Sequence, residues 1–243
     1  MNSTSQYRFT VIVPYFNEKE NVGALEERLG AYISHCPVQP ACVLFVNDGS
    51  TDGGEEAVHR TCGRNAAFYY LDLESNGGLS AALKAGIAAC ESDYVGYIDA
   101  DLQTDPEDFS LLLEHIGEYE LVLGIRAQRK DGFVKRASSR IANAWRRMMT
   151  GDGVKDTGCP LKVMQTPYAK ELPLFKGMHR FIPALIQMQG GRCLEVPVRH
   201  YPRTAGKAKY NLANRLWGPF VDCFAFRWMR SRYTKIRISG SNL

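Results

Sequence analysis

Strand-like and helix-like runs alternate through the first 125 residues, and that alternation narrows the possible folds more than any other feature. Apolar, β-branched or aromatic runs at 9–14, 41–47, 67–73, 94–99 and 121–124 are separated by helical patterns near 18–34, 53–62, 78–90 and 106–116. Strands that alternate with helices at this spacing build a mostly parallel sheet with helices on both faces. Helix-start signals agree: Asn17 precedes Glu20 at capping-box spacing, and Asp105-Pro106 sets a cap before a first-turn proline. No Gly-x-Gly-x-x-Gly follows the first strand, which disfavours a dinucleotide dehydrogenase despite the Rossmann character of this half.

In an open sheet of this kind the ligand crevice lies at the carboxyl ends of the strands, and polar motifs collect there. The fourth run ends in Asp99-Ala-Asp101-Leu-Gln103. Alternate residues of an extended segment point the same way, so these three oxygen donors converge on one point. Such a set suits Mg²⁺ or Mn²⁺ rather than Zn²⁺, with substrate phosphates completing the shell. Pro14-Tyr-Phe16-Asn-Glu18 ends the first run, Asn47-Asp48-Gly-Ser50 the second, and Asn76-Gly77-Gly78 follows the third. Phe16 offers a face to a nucleobase, Glu18 and Asp48 accept from base N–H or ribose hydroxyls, and Gly77 permits close backbone approach. Taken singly, each has an ordinary structural reading as an acidic turn, a helix cap or a glycine turn.

Beyond residue 125 the pattern loosens into a basic helix over 133–149, a strand near 161–165, a helix near 179–189, a strand at 192–200 and a basic loop at 202–209. Charge divides along the same line. Residues 1–125 carry 6 Lys/Arg against 20 Asp/Glu, whereas the remainder carries 24 against 6. A basic second half points to anionic partners, whether phosphates, a lipid surface or nucleic acid, and no nucleic-acid motif accompanies the charge. The last segment, 211–237, sets Leu212, Leu216, Trp217, Phe220, Val221 and Phe224 at helical spacing and crowds arginines at its end. It reads either as a membrane-interface helix or as a helix packed on the core with a basic tail. Seven scattered cysteines without a Cys-x-x-Cys pair argue for reduced thiols and a cytosolic setting. No run approaches the ~20 apolar residues of a membrane span, and the first residues lack a signal core.

In this order and register the four motifs resemble the family 2 glycosyltransferases, whose nucleotide-sugar fold is called GT-A. The resemblance implies that Pro14, Phe16, Glu18, Asp48 and Gly77 hold the nucleoside, and that Asp99 and Asp101 hold a divalent metal on the donor diphosphate. Gln103 with Pro106 looks like the variant of the polyprenyl-phosphate glycosyltransferases, dolichol-phosphate mannose synthases among them, where the glutamine also serves the metal. The same subgroup implies acceptor-phosphate contacts from Arg126 of Gly124-Ile-Arg126 and from Arg140. It implies donor or acceptor phosphate contacts from Arg203 and Lys209 of the basic loop. Lys162 stands where relatives carry an arginine, Ala208 where they carry a serine, and the Gln-x-x-Arg-Trp motif of processive synthases is absent.

The expectation is therefore a GT-A catalytic domain over 1–210, its nucleotide-sugar half about 1–125 and its acceptor half about 126–210, followed by a basic amphipathic tail at 211–243. It would move one sugar, with inversion, from a UDP- or GDP-sugar to a polyprenyl phosphate at the cytoplasmic face of a membrane, peripherally attached. Asp101, Arg126 and Asp156 are the expected catalytic group, with Asp156 the acid available as base or positioning residue. Two alternatives stay open: transfer to a saccharide hydroxyl, and a non-catalytic nucleotide-sugar-binding subunit.

Overall fold

The computed structural model describes residues 4–126, 143–202 and 212–234. Its strands are β1 (Phe9–Tyr15), β2 (Ala41–Asn47), β3 (Phe68–Asp72), β4 (Tyr94–Tyr97), β5 (Leu121–Arg126), β6 (Lys162–Gln165) and β7 (Cys193–Val198). They form one sheet in the order β3-β2-β1-β4-β6-β5-β7. All neighbours run parallel except β6, which is antiparallel to both β4 and β5. Chain order reverses between β1 and β4, the switch point at which such sheets open a crevice.

Helices α1 (Val22–His35), α2 (Gly54–Arg64) and α4 (Phe109–Leu113) pack on one face. The other face carries α3 (Leu79–Ala89), α5 (143–150), α6 (Thr166–Lys170), α7 (Ile182–Met188) and α8 (Leu212–Arg232). Strand alternation divides the two cores: Phe9, Val11 and Val13 of β1 join the first, and Ile12 joins the second. Fully burying each such side chain is worth about 1.5–3 kcal/mol. The α5 end is fixed by a buried ion pair between Arg146 and Asp152. Arg146 Nη2 also donates to the Val154 carbonyl at 2.6 Å. All seven cysteines are free thiols.

Three expectations are corrected, and one short helix is added. Asn17 is not the N-cap of α1, which is Asn21: the φ of Asn17 is +52°, and its Oδ1 accepts the Thr51 N–H at 2.7 Å. The chain instead enters α1 through a 3-10 turn, Lys19–Asn21. The 99–103 segment is a turn rather than an extension of β4, with Leu102 at φ +58° and the Gln103 N–H bonded to Asp101 Oδ1 at 3.1 Å. Asp105, by contrast, caps as expected, accepting from Glu107 N. The short α6 has no counterpart in the sequence reading: only its first-turn proline marks it, and five residues are too few for a helical period to show. Finally, α8 is not a choice between core and surface. Cys223 and Phe226 are buried, Phe226 stacking on Phe181 at 5.8 Å, while Phe220, Val221, Phe224 and Trp228 are exposed.

Candidate active site

The carboxyl ends of β1, β2 and β3 are laced together by side chains. Tyr15 lies opposite Asn47, and Asn47 opposite Asp72. Asn47 Nδ2 donates to Asp72 Oδ1, and its own Oδ1 accepts from Ser50 N. The Asn17 N–H reaches Ser50 Oγ at 3.0 Å. Asp48 is buried, and its carboxylate accepts from the N–H groups of Gly77 and Gly78 and from Asn76 Nδ2, all within 2.8–3.2 Å. Asp48, expected from the sequence to meet a nucleoside, here holds the glycine loop in place. Gly49 is obligatory: at φ +71° a Cβ there would stand 2.8 Å from Asn76 N. Glu18 Oε2 accepts from Asn21 Nδ2, Phe16 is half-buried, and Pro14 is buried within β1.

At the switch point, Tyr97 Oη donates to Asp99 Oδ1 at 2.5 Å. Burial, and then the Asp99 charge, push the Tyr97 phenol well above its ordinary value and keep it a donor. Opposite Tyr97 in the antiparallel β4–β6 register lies Lys162, wholly buried with its ammonium 5.4 Å from the Tyr97 ring centre. Lys162 Nζ donates to the carbonyls of Thr157 and Cys159. Burial lowers its pKa, opposed by the neighbouring Cys159, Asp99 and Asp156. The lysine in place of arginine therefore braces the 156–159 loop from below. Asp101 is buried to 7% exposure. Gln103 pairs with the base of the basic loop: Tyr201 N donates to its carbonyl at 2.9 Å. Arg199 anchors that loop to Asp108, which accepts from its backbone N–H at 2.7 Å and its Nε at 2.8 Å.

Arg126 and Asp156 meet directly. Arg126 Nε and Nη2 each lie 2.7 Å from a separate oxygen of the Asp156 carboxylate, the bidentate geometry of a strong guanidinium pair. Glu195 Oε1 accepts the N–H groups of Lys155 and Asp156, both at 2.9 Å. Gly124 is required two residues earlier, since a Cβ would stand 2.7 Å from Val198 Cγ2 on β7. Beside the pair opens a cavity of about 490 Å³ lined by Arg126, Arg147, Lys155 and Asp156 with Ile125, Asn143 and Ala144.

Arg140, Arg203 and Lys209 lie outside the described residues. Three groups near the site were missed by sequence reasoning. Glu195 reads as one polar residue in a strand, and Ser80 and His179, 99 positions apart, bond at 2.8 Å with no sequence signal. Glu55, His59 and Asp72 also converge, on α2 and the end of β3, where His59 Nε2 meets Asp72 Oδ2 at 2.7 Å. Their i, i+4 spacing on α2 was the one available clue.

The donors at Asp99, Asp101 and Gln103 are all oxygen, two carboxylates and an amide, which fits a hard divalent cation such as Mg²⁺ or Mn²⁺. Known structures share the architecture. A glucosyl-3-phosphoglycerate synthase from Mycobacterium tuberculosis superposes at TM-score 0.66 with 19% identity, over 98% of this chain and 83% of the other. A mannosyltransferase from Pyrobaculum calidifontis, solved with GDP-Man and Mn²⁺, gives 0.59 and 19% over 93% and 71%. At these identities the likeness speaks to the GT-A fold. In sequence, a dodecaprenyl-phosphate galacturonate synthase from Rhizobium johnstonii is 35% identical across 84% of this chain and 62% of its own length. An undecaprenyl-phosphate 4-deoxy-4-formamido-L-arabinose transferase from Edwardsiella ictaluri is 32% identical across 84% and 63%. The chain thus spans a little over three-fifths of these relatives. The Glycosyl transferase family 2 model matches residues 10–169, and the chain belongs to that family of glycosyltransferases.

Proposed function

We propose that this protein transfers one sugar, with inversion, from a UDP- or GDP-sugar to a polyprenyl phosphate at a membrane surface. The observation that carries the reading is the basic cavity beside Arg126. Arg126, Arg147 and Lys155 line a space of about 490 Å³, and Asp156 there is already bound bidentately to Arg126. Three cations suit a phosphate, and a phosphate monoester is anionic near neutral pH, so it needs no general base. A saccharide hydroxyl would need one, and an ion-paired Asp156 is poorly placed to take a proton. The two relatives named for polyprenyl-phosphate products support the same acceptor.

On the donor side, Pro14, Phe16, Glu18, Asp48 and Gly77 receive the nucleoside, and Asp99, Asp101 and Gln103 are the residues that hold Mg²⁺ or Mn²⁺. When bound, such an ion neutralises the charge of a departing nucleoside diphosphate. Arg126 orients the acceptor oxygen toward the anomeric carbon, and Arg140, Arg203 and Lys209 assist on the phosphates. Asp156 fixes the Arg126 fork. Direct displacement by the acceptor oxygen inverts the anomeric centre. The exposed apolar face of α8, with Arg232 at its end, supplies a peripheral contact with the cytoplasmic leaflet. The division into a catalytic region at 1–210 and a tail at 211–243 belongs to this reading.

The test is to incubate the protein with a panel of nucleotide sugars, Mn²⁺ and undecaprenyl phosphate, and to follow glycolipid formation. Transfer is expected to a lipid phosphate, and Asp101→Ala should lower it by about a hundredfold or more. Undiminished transfer by Asp101→Ala removes the metal role. Transfer to a sugar hydroxyl alone replaces the acceptor assignment.

A further inference from the structure

We propose that Glu55, His59 and Asp72 form a Zn²⁺ site that clamps α2 to the end of β3, separate from the carboxylates of the donor site. The inference does not depend on which donor or acceptor the protein uses. Glu55 and His59 stand one turn apart in α2, a spacing that puts both side chains on one helix face. Asp72 closes β3, the strand against which α2 packs. One ligand atom from each residue lies within 4.8 Å of the other two. Among the described residues no other three His, Cys, Asp or Glu side chains gather so closely. The ligand atoms are also oriented. His59 Nε2 lies 2.7 Å from Asp72 Oδ2, and the imidazole stacks on Tyr70 with ring centres 3.9 Å apart. Asp72 Oδ1 accepts from Asn47 Nδ2, which leaves Oδ2 turned toward α2. Outer contacts of this kind aim first ligands at a metal.

A second observation comes from the interior. Tyr15 is 4% exposed, and its Oη is sealed without a hydrogen-bond partner. Tyr15, Asn47 and Asp72 lie side by side on β1, β2 and β3, so their side chains share one sheet face. The Tyr15 ring packs with the core beneath α2. Its Cε2, next to the hydroxyl-bearing carbon, comes within 3.6 Å of the Cβ position of Gly54, the residue before Glu55. The hydroxyl end of the ring therefore lies at the start of α2, on the side where Glu55 and Asp72 converge. Burial raises the phenol, and the Asp72 and Glu55 charges raise it further. A buried hydroxyl without a protein partner points to a water or an ion. A water on a Zn²⁺ ion held by three protein ligands would supply that partner.

The donor set selects the ion. One imidazole with two carboxylates suits Zn²⁺, whereas Mg²⁺ prefers oxygen alone. Zn²⁺ takes the place of the proton between His59 Nε2 and Asp72 Oδ2. Bonds of about 2.1 Å in a tetrahedron set ligand atoms about 3.4 Å apart. Glu55 and Asp72 are exposed and His59 is half-buried, so side-chain rotation at the surface can reach that spacing. The ion would then tie α2 into the chain of bonds from Asp72 to Asn47 and on to Ser50 that laces the strand ends together.

The experiment separates this site from the donor carboxylates. Zn²⁺ binding is measured by calorimetry in excess Mg²⁺ for the wild type, Asp101→Ala, His59→Ala and Glu55→Gln. Wild type and Asp101→Ala should bind Zn²⁺ with affinities that agree within about twofold, whereas His59→Ala and Glu55→Gln should each weaken it at least about tenfold. Zn²⁺ affinity that survives either of those two substitutions overturns the proposal. Loss of Zn²⁺ binding in Asp101→Ala also overturns it, because the ion would then sit at the donor carboxylates. A second measurement needs no substitution: Zn²⁺ should slow the modification of His59 by diethyl pyrocarbonate, followed by peptide mass mapping. His59 modified at the same rate with and without Zn²⁺ is not a ligand, and the site falls with it.

Discussion

Asp156 can serve as a base or as a positioner, and its bidentate pairing with Arg126 supports the proposed role of positioner. Both carboxylate oxygens lie 2.7 Å from guanidinium nitrogens of Arg126. A fork of that kind stabilises the ionised carboxylate and resists protonation. As the proposed positioner, Asp156 would hold Arg126 in the orientation proposed for an acceptor phosphate. Asp156→Asn keeps the shape and loses the charge, so the guanidinium loosens. The expected outcome in steady-state transfer assays is a rise of about tenfold in the KM for polyprenyl phosphate, with kcat changed by less than threefold. The acid limb of the pH–rate profile should stay where it is in the wild type. A base in the same place would behave differently: kcat would fall by about 10²–10⁴, and the acid limb would move or vanish. Arg126→Lys gives a second reading of the same pair, since a point charge cannot reproduce the two parallel bonds. Asp156 and Arg126 were both legible in the sequence as separate residues, thirty positions apart. Their union was not, because it depends on β5 and the loop before β6 meeting through an antiparallel pairing that no local pattern encodes.

Helix α8 carries two faces with separate tasks. Phe226 is fully buried, stacked on Phe181 with 15° between the rings, and Arg230 Nη1 donates to the Thr150 carbonyl at 2.6 Å. On the opposite side Trp228 is 68% exposed and Phe224 is 51% exposed, with Phe220 stacked on Trp145 of α5 at 4.9 Å. Phe226→Ala should cost about 3–5 kcal/mol in denaturant unfolding, the usual penalty for emptying a packed aromatic site. Trp228→Ala should leave that stability within about 0.5 kcal/mol and instead weaken sedimentation with lipid vesicles. A Trp228→Ala variant that unfolds early and binds vesicles normally would reverse the assignment of faces. The same helix shows where pattern reading stops. Periodicity announces an amphipathic helix, but it cannot say that it carries two apolar arcs, one packed on the turn before α7 and the other facing solvent. Elements with strong local signals were read closely: 41–47 coincides with β2, and 79–89 falls inside the expected 78–90. The 99–103 turn escaped because its shape comes from Leu102 in a left-handed conformation, which leucine seldom adopts.

Across the whole molecule, the acidic first half and the basic second half share a single sheet, β6 and β5 continuing directly from β4. The basic cavity beside Arg126 and the exposed face of α8 both involve α5. Asn143, Ala144 and Arg147 line the cavity, while Trp145 stacks against Phe220 and Met148 is 66% exposed. An acceptor with an anionic head and an apolar tail would therefore find its two recognition surfaces on neighbouring faces of one helix. The net charge of 126–243, 24 Lys/Arg against 6 Asp/Glu, adds attraction to an anionic leaflet worth about 1 kcal/mol for each basic side chain near the surface. Raising the ionic strength from 0.1 M to 1 M shortens the screening length from about 10 Å to about 3 Å. Binding to vesicles rich in anionic lipid should then fall at least tenfold, whereas binding to neutral vesicles, carried by Phe224 and Trp228, should be weaker and nearly independent of salt. Removing Trp228 should lower both curves without changing the salt slope of the first, because the charges that set that slope lie elsewhere. Equal binding to anionic and neutral vesicles at both ionic strengths would show that the basic half does not steer the protein to the membrane, and its charge would then belong to the phosphate site alone.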